Sequence, residues 1–297
     1  MKEKSAAPIY QLIDAILRWV LRQVPPSRGV EKLALWWGYR YCPPPRKSRL
    51  RSGNFIWTTQ VDHLQLLIYY LGTFEPYCLP YVRKVVGSGG TVLDVGANIG
   101  LYSIESAAAV GPNGRVVAIE AASSHVDALR QNIELNSLEN VSVFETAVGA
   151  AAGHATLKRM SGDNLGMFSL GQMDGVDEQV VSVRTIDDVI LEAKVSSLDL
   201  IKMDIEGSEY GALVGAEKTV RSYLPAILIE LNDIALHSCG SSSDELVKLL
   251  HGWGYLGWEI GRGFIRPIQS GGLQGQCIEC IFVHSNSNSL LKRLKLI

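Results

Sequence analysis

Asp94, Asn98, Glu120, Asp204, Glu206 and Glu230 are the polar residues of this 297-residue chain whose positions could carry chemistry. Each stands in or just beyond a short apolar run: "TVLDVGANIG", "RVVAIE", "LIKMDIEGSE" and "AILIELN". Asp94 lies inside its run, where a carboxylate needs a partner. Gly96 and Gly100 flank Asn98 and let a ligand lie against the backbone. An acid, a glycine loop, a helix, a strand and a second acid, in that order, can hold a nucleoside. Carboxylates at the ends of other strands can take a proton from a bound hydroxyl.

A dinucleotide site asks for G-x-G-x-x-G, because the backbone must pass close to a pyrophosphate. Here Asn98 replaces the second glycine and Leu101 the third, and there is no GxxxxGK[ST] string. A ligand without phosphate fits better, and S-adenosylmethionine is one. Asp94 would orient the loop and attract the ammonium, and the helix start after Asn98 suits the carboxylate. Glu120 would accept from both ribose hydroxyls, and its side chain, facing the ligand, is expected to matter little for folding. Transfer of the methyl to an alcohol requires a general base. Asp204, Glu206 and Glu230 are the candidates, with His237 just beyond. The same acids could instead cap or favour nearby helices, or bind Mg²⁺. Asn164 could meet a sugar hydroxyl or sit in an ordinary turn. Trp36, Trp37 and Trp57 could stack on sugars or anchor a core.

The elements that would position these residues read clearly from Thr91 onward. Strands "TVLDVG", "RVVAIE", "VSVFETAV", "LDLIKMD", "AILIEL", "YLGWEI" and "CIECIFVH" alternate with helical patterns, among them "GALVGAEKTVRSY". Ser123 or Ser124 would cap the helix after Glu120. "HATLKRM" and "EQVVSVRT" flank a Gly-containing interruption and look like extra strands or a flap. Alternation of this kind predicts a parallel sheet covered on both faces. Ligands of such sheets bind beyond the carboxyl ends of the strands. Before residue 87, Pro-rich turns punctuate short helices. The chain is therefore divided into a basic helical extension over 1–86 and a catalytic domain over 87–297.

Net charge is −2, which by itself suggests neither nucleic acid nor membrane. Residues 1–51 nevertheless hold eleven basic against three acidic side chains, net +8, leaving −10 elsewhere. That segment is either a basic surface packed on an acidic body or a contact for anionic lipid or a phosphorylated substrate. Ile9 to Val24 is too short to span a bilayer. With Gln11, Asp14, Arg18 and Arg22 on one stripe, it predicts an amphipathic helix packed on the body. A membrane-surface or dimerising helix is the alternative. The five cysteines are scattered and odd in number, so reduced thiols in a cytoplasmic protein are expected. The Cys277-x-x-Cys280 pair opens a strand, where residues three apart face opposite ways, and is not read as a metal site.

"VLDVGANIGLYS", "VVAIEA", "VRTIDDVI", "LIKMDIEGSEYGALVGAEKTV" and "PAILIELN" together resemble the FkbM family of S-adenosylmethionine-dependent methyltransferases. The resemblance covers about Glu75 to Leu231 and is weaker beyond. It implies the class I methyltransferase fold: a Rossmann-like, mostly parallel, seven-stranded sheet whose last strand is antiparallel. It also implies O-methylation of a sugar, glycan or glycolipid hydroxyl, or of a polyketide or lipid-like alcohol. Asp94, Gly96, Asn98 and Gly100 match the cofactor loop, Glu120 the ribose acid, and Asp204 and Glu206 the acidic loop. Glu75 is implied near the methionine end of the cofactor. Where the broader superfamily often places an acid for the adenine amine, this chain has Glu145-Thr146-Ala147, so Thr146 or the backbone at Ala147 must serve.

Overall fold

The computed structural model describes residues 8–59, 61–160, 168–170, 175–268 and 271–297. Two helices open it, α1 (Pro8–Gln23) and α2 (Arg28–Tyr41), followed by the hairpin β1 (Arg46–Arg49) and β2 (Phe55–Thr58). Next come α3 (His63–Leu71), α4 (Leu79–Val85), β3 (Thr91–Val95), α5 (Leu101–Val110), β4 (Arg115–Glu120), α6 (Ser123–Leu135) and β5 (Val141–Glu145). The strands β6 (Ala147–Val148), β7 (Gly153–Met160), β8 (Phe168–Ser169) and β9 (Gly175–Arg184) follow. Then the alternation resumes with α7 (Ile186–Glu192), β10 (Leu200–Met203), α8 (Glu209–Val214), α9 (Glu217–Tyr223), β11 (Ala226–Asn232), α10 (Asp233–Ser238) and α11 (Ser243–Gly252). The chain closes with β12 (Tyr255–Gly261), β13 (Phe264–Pro267), β14 (Cys277–His284) and α12 (Asn288–Arg293).

The main sheet has the order β13-β12-β14-β11-β10-β3-β4-β5. From β5 to β11 all pairings are parallel, while β14 runs antiparallel to both β11 and β12. This is the expected α/β arrangement, with one correction: among the described residues the sheet has eight strands rather than seven, because Arg262-Gly263 turns the chain back and β13 pairs with β12. Alternate residues serve opposite faces, as a pleated strand requires. Leu93, Val117, Ile201 and Ile227 enter one core with α7, α8, α9 and α11. Val92, Val116, Leu200 and Leu228 enter the other with α4, α5 and α12.

Three local expectations change. "VSVFETAV" is not one strand: β5 ends at Glu145, and β6 joins a second sheet of order β6-β9-β7-β8. "GALVGAEKTVRSY" breaks near Gly215, because the Asp187 carboxylate of α7 accepts from Thr219 N and Oγ1 (2.8 and 2.7 Å) and caps α9 there. Ser123 does not cap α6; its hydroxyl donates to Glu145 (2.8 Å).

The amino-terminal elements share cores with the rest. Leu50, Ile56 and Ile68 pack with Ile99, Leu101 and Ile104, so the cofactor-type loop and α5 rest against α3 and the β1–β2 hairpin. Leu21, Ala34, Leu66 and Tyr70 form a smaller core among α1, α2 and α3. Among the described residues no helix is long and apolar enough to cross a membrane.

Candidate functional site: two joined cavities at the strand ends

The parallel strands end together, and the chain beyond β3, β4 and β10 walls a cavity of about 920 Å³, part of it open to solvent. Gly96, Ala97, Asn98, Glu120, Ala121, His125, Thr146, Ala147, Lys202, Asp204 and Glu206 line it. A second cavity, about 790 Å³ and also partly open to solvent, is lined by Asp62, His63, Glu75, Glu230 and Asn232. The two meet along Leu64, Phe74, Asn98, Asp204 and Glu206, which line both.

The loop after β3 is shaped by two close approaches. Gly96 has φ +77°, and a Cβ there would overlap the carbonyl oxygen of Asp204. The exits of β3 and β10 therefore touch backbone to backbone. Gly100, φ +97°, begins α5 with no room for a side chain beside Leu129. Asn98 takes φ +50°, and its side chain accepts from Ile99 N (2.8 Å).

Glu120 ties this loop to the next turn. Its Oε2 accepts from Asn98 N (2.8 Å), and its Oε1 accepts from Ala121 N and Ala122 N (2.9 and 2.8 Å). His125 Nδ1 lies 3.8 Å away. Burial alone would raise this carboxyl, but His125 and the amides of Ala122 and Asn98 outweigh it and hold it below the ordinary range. The expectation that Glu120 is dispensable for folding is corrected by these three bonds: the side chain fastens the loop as well as facing the cavity. A carboxylate has about four acceptor sites, and the three amides together with His125 draw on all of them, so a ligand hydroxyl has to share a site with one of these donors.

Asp94 is fully buried beneath the loop and does not line either cavity. Ser103 Oγ donates to its Oδ2 (2.6 Å), and Oδ1 has no hydrogen-bond partner among the described residues. Burial raises its pKa against the pull of Lys202, its cross-strand neighbour. Thr146 lines the first cavity, yet its hydroxyl reaches the carbonyls of Ala147 and Ser182 (3.0 Å each), so only the surrounding wall is offered to a ligand.

The acids of the second cavity are in a different state. Burial, followed by the charge of Asp204, pushes Glu75 to about 7, Glu206 to about 9 and Glu230 to about 7. Glu75 accepts from Tyr102 Oη (2.6 Å), and Glu230 accepts from Cys277 Sγ (3.2 Å). Lys202 extends from β10 to lie 3.4 Å from Asp204 Oδ2, 3.5 Å from Gly96 O and 4.8 Å above the Tyr102 ring. Burial disfavours its charge, but Asp204, Asp94, Glu75 and Glu279 together raise its pKa.

Lys202, His125, His63 and Phe74 were not singled out in the sequence. For Lys202 a signal existed: a charge inside the apolar "LIKMD" needs a partner as much as Asp94 does. His237, by contrast, is exposed, bonds to the Asp233 carbonyl (2.6 Å) and lines neither cavity. Trp36, Trp37 and Trp57 also lie away from both cavities, and Asn164 lies outside the described residues. Among the described residues, the metal-type ligand atoms within 4.8 Å of one another belong to Glu75, Cys78 and Glu279 rather than to Asp204, Glu206 and Glu230. All five cysteines are free thiols.

The chain is 29% identical over 238 residues to the 31-O-demethyl-FK506 methyltransferase FkbM of Streptomyces tacrolimicus, covering 70% of this chain and 87% of that protein. Among solved structures it is similar to Methyltransferase FkbM from Methylobacillus flagellatus, with 20% identity and a TM-score of 0.46 over 91% of this chain. The chain spans 58% of that protein's length. It is also similar to an O-methyltransferase from Bacillus cereus solved with SAH, with 14% identity and a TM-score of 0.44, covering 93% of this chain and all of that one. The Methyltransferase FkbM domain matches residues 94–256, more than half the sequence, a span that holds the glycine loop and Asp94, Glu120, Asp204, Glu206 and Glu230, and the chain belongs to the FkbM methyltransferase family.

Proposed function

We propose that this methyltransferase uses S-adenosylmethionine to methylate a hydroxyl of a sugar, glycan or glycolipid. The observation that carries the reading is the seam between the two cavities, where Asn98, Asp204 and Glu206 face both. Glu75, Asp204, Glu206 and Glu230 confront Lys202 there, and burial, followed by the charge of Asp204, raises the three glutamates. A cationic ligand there favours the charged form of these carboxyls, which is the fit expected of a sulfonium and an ammonium. Bound there, S-adenosylmethionine supplies a methyl group on an excellent leaving group.

The residues of this chain would do the rest. Glu120 and the backbone of the β3 loop hold the ribose side, and the wall at Thr146 and Ala147 bounds the base. Asp204, paired with Lys202, balances positive charge at the seam. Glu230, on the acceptor wall, takes the hydroxyl proton as the oxygen gains the methyl, because a base works best with a pKa near the working pH. Carboxyl groups that titrate near neutrality both donate and accept hydrogen bonds, which suits a ligand rich in hydroxyls.

The name of the Streptomyces relative supports oxygen as the methylated atom. Leu64 and Phe74 at the seam also favour a second reading, an alcohol on a polyketide or lipid-like body. Calorimetry tests the cofactor: S-adenosylmethionine should bind, and NAD should not compete. Incubating the enzyme and S-adenosylmethionine with glycan, glycolipid and polyketide extracts should then add the mass of one CH₂ group to a glycan or glycolipid. A mass gain confined to polyketide alcohols would select the second reading. Binding with no gain in any extract would leave a cofactor-binding protein without catalysis.

A further inference from the structure

α1 is built with its polarity reversed. Asp14 is 3% exposed and accepts from Tyr69 Oη and Tyr70 Oη (2.6 Å each) and from Trp37 Nε1 (3.2 Å). Arg22 faces the body too, donating to the carbonyls of Arg49, Ile68 and Tyr69 (2.6, 3.2 and 2.9 Å). These bonds fix the rotation of the helix. Ile9, Leu12, Ile13, Ile16, Trp19 and Val20 are consequently turned outward and are 41–66% exposed. They recur at the three- and four-residue spacing of one helical face and form a continuous apolar stripe. Isolated exposed apolar residues are ordinary, but a contiguous stripe marks an interaction surface.

α2 packs against α1 through the stacked rings of Tyr10 and Trp37, 6.4 Å apart. Its outward face carries Leu33 and Trp36 together with Arg28, Lys32 and Arg40, all exposed. Arg46, Lys47 and Arg49 of the neighbouring hairpin are exposed as well. Over residues 8–49 no acidic side chain is exposed, since Asp14 is buried and Glu31 is paired with Arg262.

We propose that this face binds the surface of an anionic membrane. The combination of an apolar stripe, exposed tryptophans and basic neighbours is what a helix lying in the headgroup region presents. At 16 residues α1 is about 24 Å long, too short and too firmly bonded to the body to cross a bilayer, so it lies flat. A second copy of the chain would also cover the stripe, but a two-fold pair would bring the basic residues of one copy toward those of the other. The membrane supplies the opposite charge instead.

The surface is connected to the cleft. Tyr69 and Tyr70 of α3 hold α1, and His63 and Leu64 at the other end of that nine-residue helix line the acceptor-side cavity. If the methyl acceptor is lipid-linked, as the proposed function allows, the docked enzyme holds its cavity close to the headgroups.

Flotation of the full chain with vesicles tests the surface. Binding should be strong on phosphatidylcholine vesicles containing phosphatidylserine, weak on phosphatidylcholine alone, and reduced by salt. Ile16→Ser with Trp19→Ser should lower partition about tenfold or more. Arg28→Glu, Lys32→Glu and Arg40→Glu together should abolish the preference for phosphatidylserine. All these side chains are exposed, so circular dichroism and S-adenosylmethionine binding should be unchanged, and that binding reads the cofactor separately from the membrane. Absence of flotation, or flotation indifferent to both lipid charge and salt, would overturn the proposal. So would a dimer in sedimentation equilibrium that Ile16→Ser with Trp19→Ser dissociates, with no vesicle binding by the parent chain.

Discussion

Glu120 and Glu230 stand near the carboxyl ends of two parallel strands of one sheet, and their surroundings push them in opposite directions. Around Glu120 three backbone amides and His125 overcome burial and hold the carboxyl low. Around Glu230 the direct donor is the Cys277 thiol, and burial with Asp204 lifts the group to about 7. Donors aimed at a carboxylate favour its charge, and neighbouring carboxylates oppose it. One side of the cleft therefore carries a settled anion, the other a carboxyl that titrates near neutrality.

The largest expected effect tests the proton-exchanging side. Glu230→Gln should lower kcat by about 10²–10⁴ if Glu230 is the base. The wild-type kcat/KM should rise with pH through about 7, and the variant should lose that rise. Unchanged turnover would transfer the role to Asp204. The next effect tests the ligand-holding side. Glu120→Ala leaves three backbone N–H groups without their acceptor, and it should cost about 2–4 kcal/mol in a denaturant titration as well as cofactor affinity. Weakened binding with full stability would mean that those amides find other partners.

A smaller effect sets the two sides against each other. Glu75, Glu206 and Glu230 have folded values above the ordinary 4.5, so their contribution to stability is complete below that value. It is lost as pH rises through about 7 for Glu75 and Glu230 and about 9 for Glu206. Glu120 has a lowered folded value, so its contribution is present above the ordinary value and is lost as pH falls through the folded one. The ligand-free Tm should decline by a few degrees on the alkaline side, and a double Glu206→Gln, Glu230→Gln variant should flatten that limb alone. Flattening of the acid limb instead would break the contrast. The smallest effect is Glu206→Gln by itself. A carboxyl titrating at about 9 is mostly protonated at neutral pH, and an amide is its neutral mimic. Turnover should stay within about threefold. A hundredfold loss would show that the group works as an anion.

The strands were legible because strands buried on both faces are written as plain apolar runs. The acids were legible because they interrupt or end those runs, and the cavities form where the strand ends predicted them. What the sequence hides depends on partners far away in the chain. The break between α8 and α9 follows from Asp187, thirty-two residues before Thr219. The bonds at Glu120 come from a loop that folds back to meet it. The orientation of α1 is decided by Tyr69 and Tyr70, fifty-five and fifty-six residues beyond Asp14. The periodicity of "IYQLIDAILRWV" defines two faces, but it does not tell which one turns inward.

The contact between Gly96 and the Asp204 carbonyl limits how this enzyme can be re-engineered. Two loops that contribute to the cleft share one backbone crossing that no side chain can enter, so neither can be lengthened, swapped or diversified without moving the other. A library aimed at new acceptors should leave both loops fixed and vary the opposite wall, at His63, Leu64 and Phe74. Those positions come from α3 and the turn after it, outside the crossing itself.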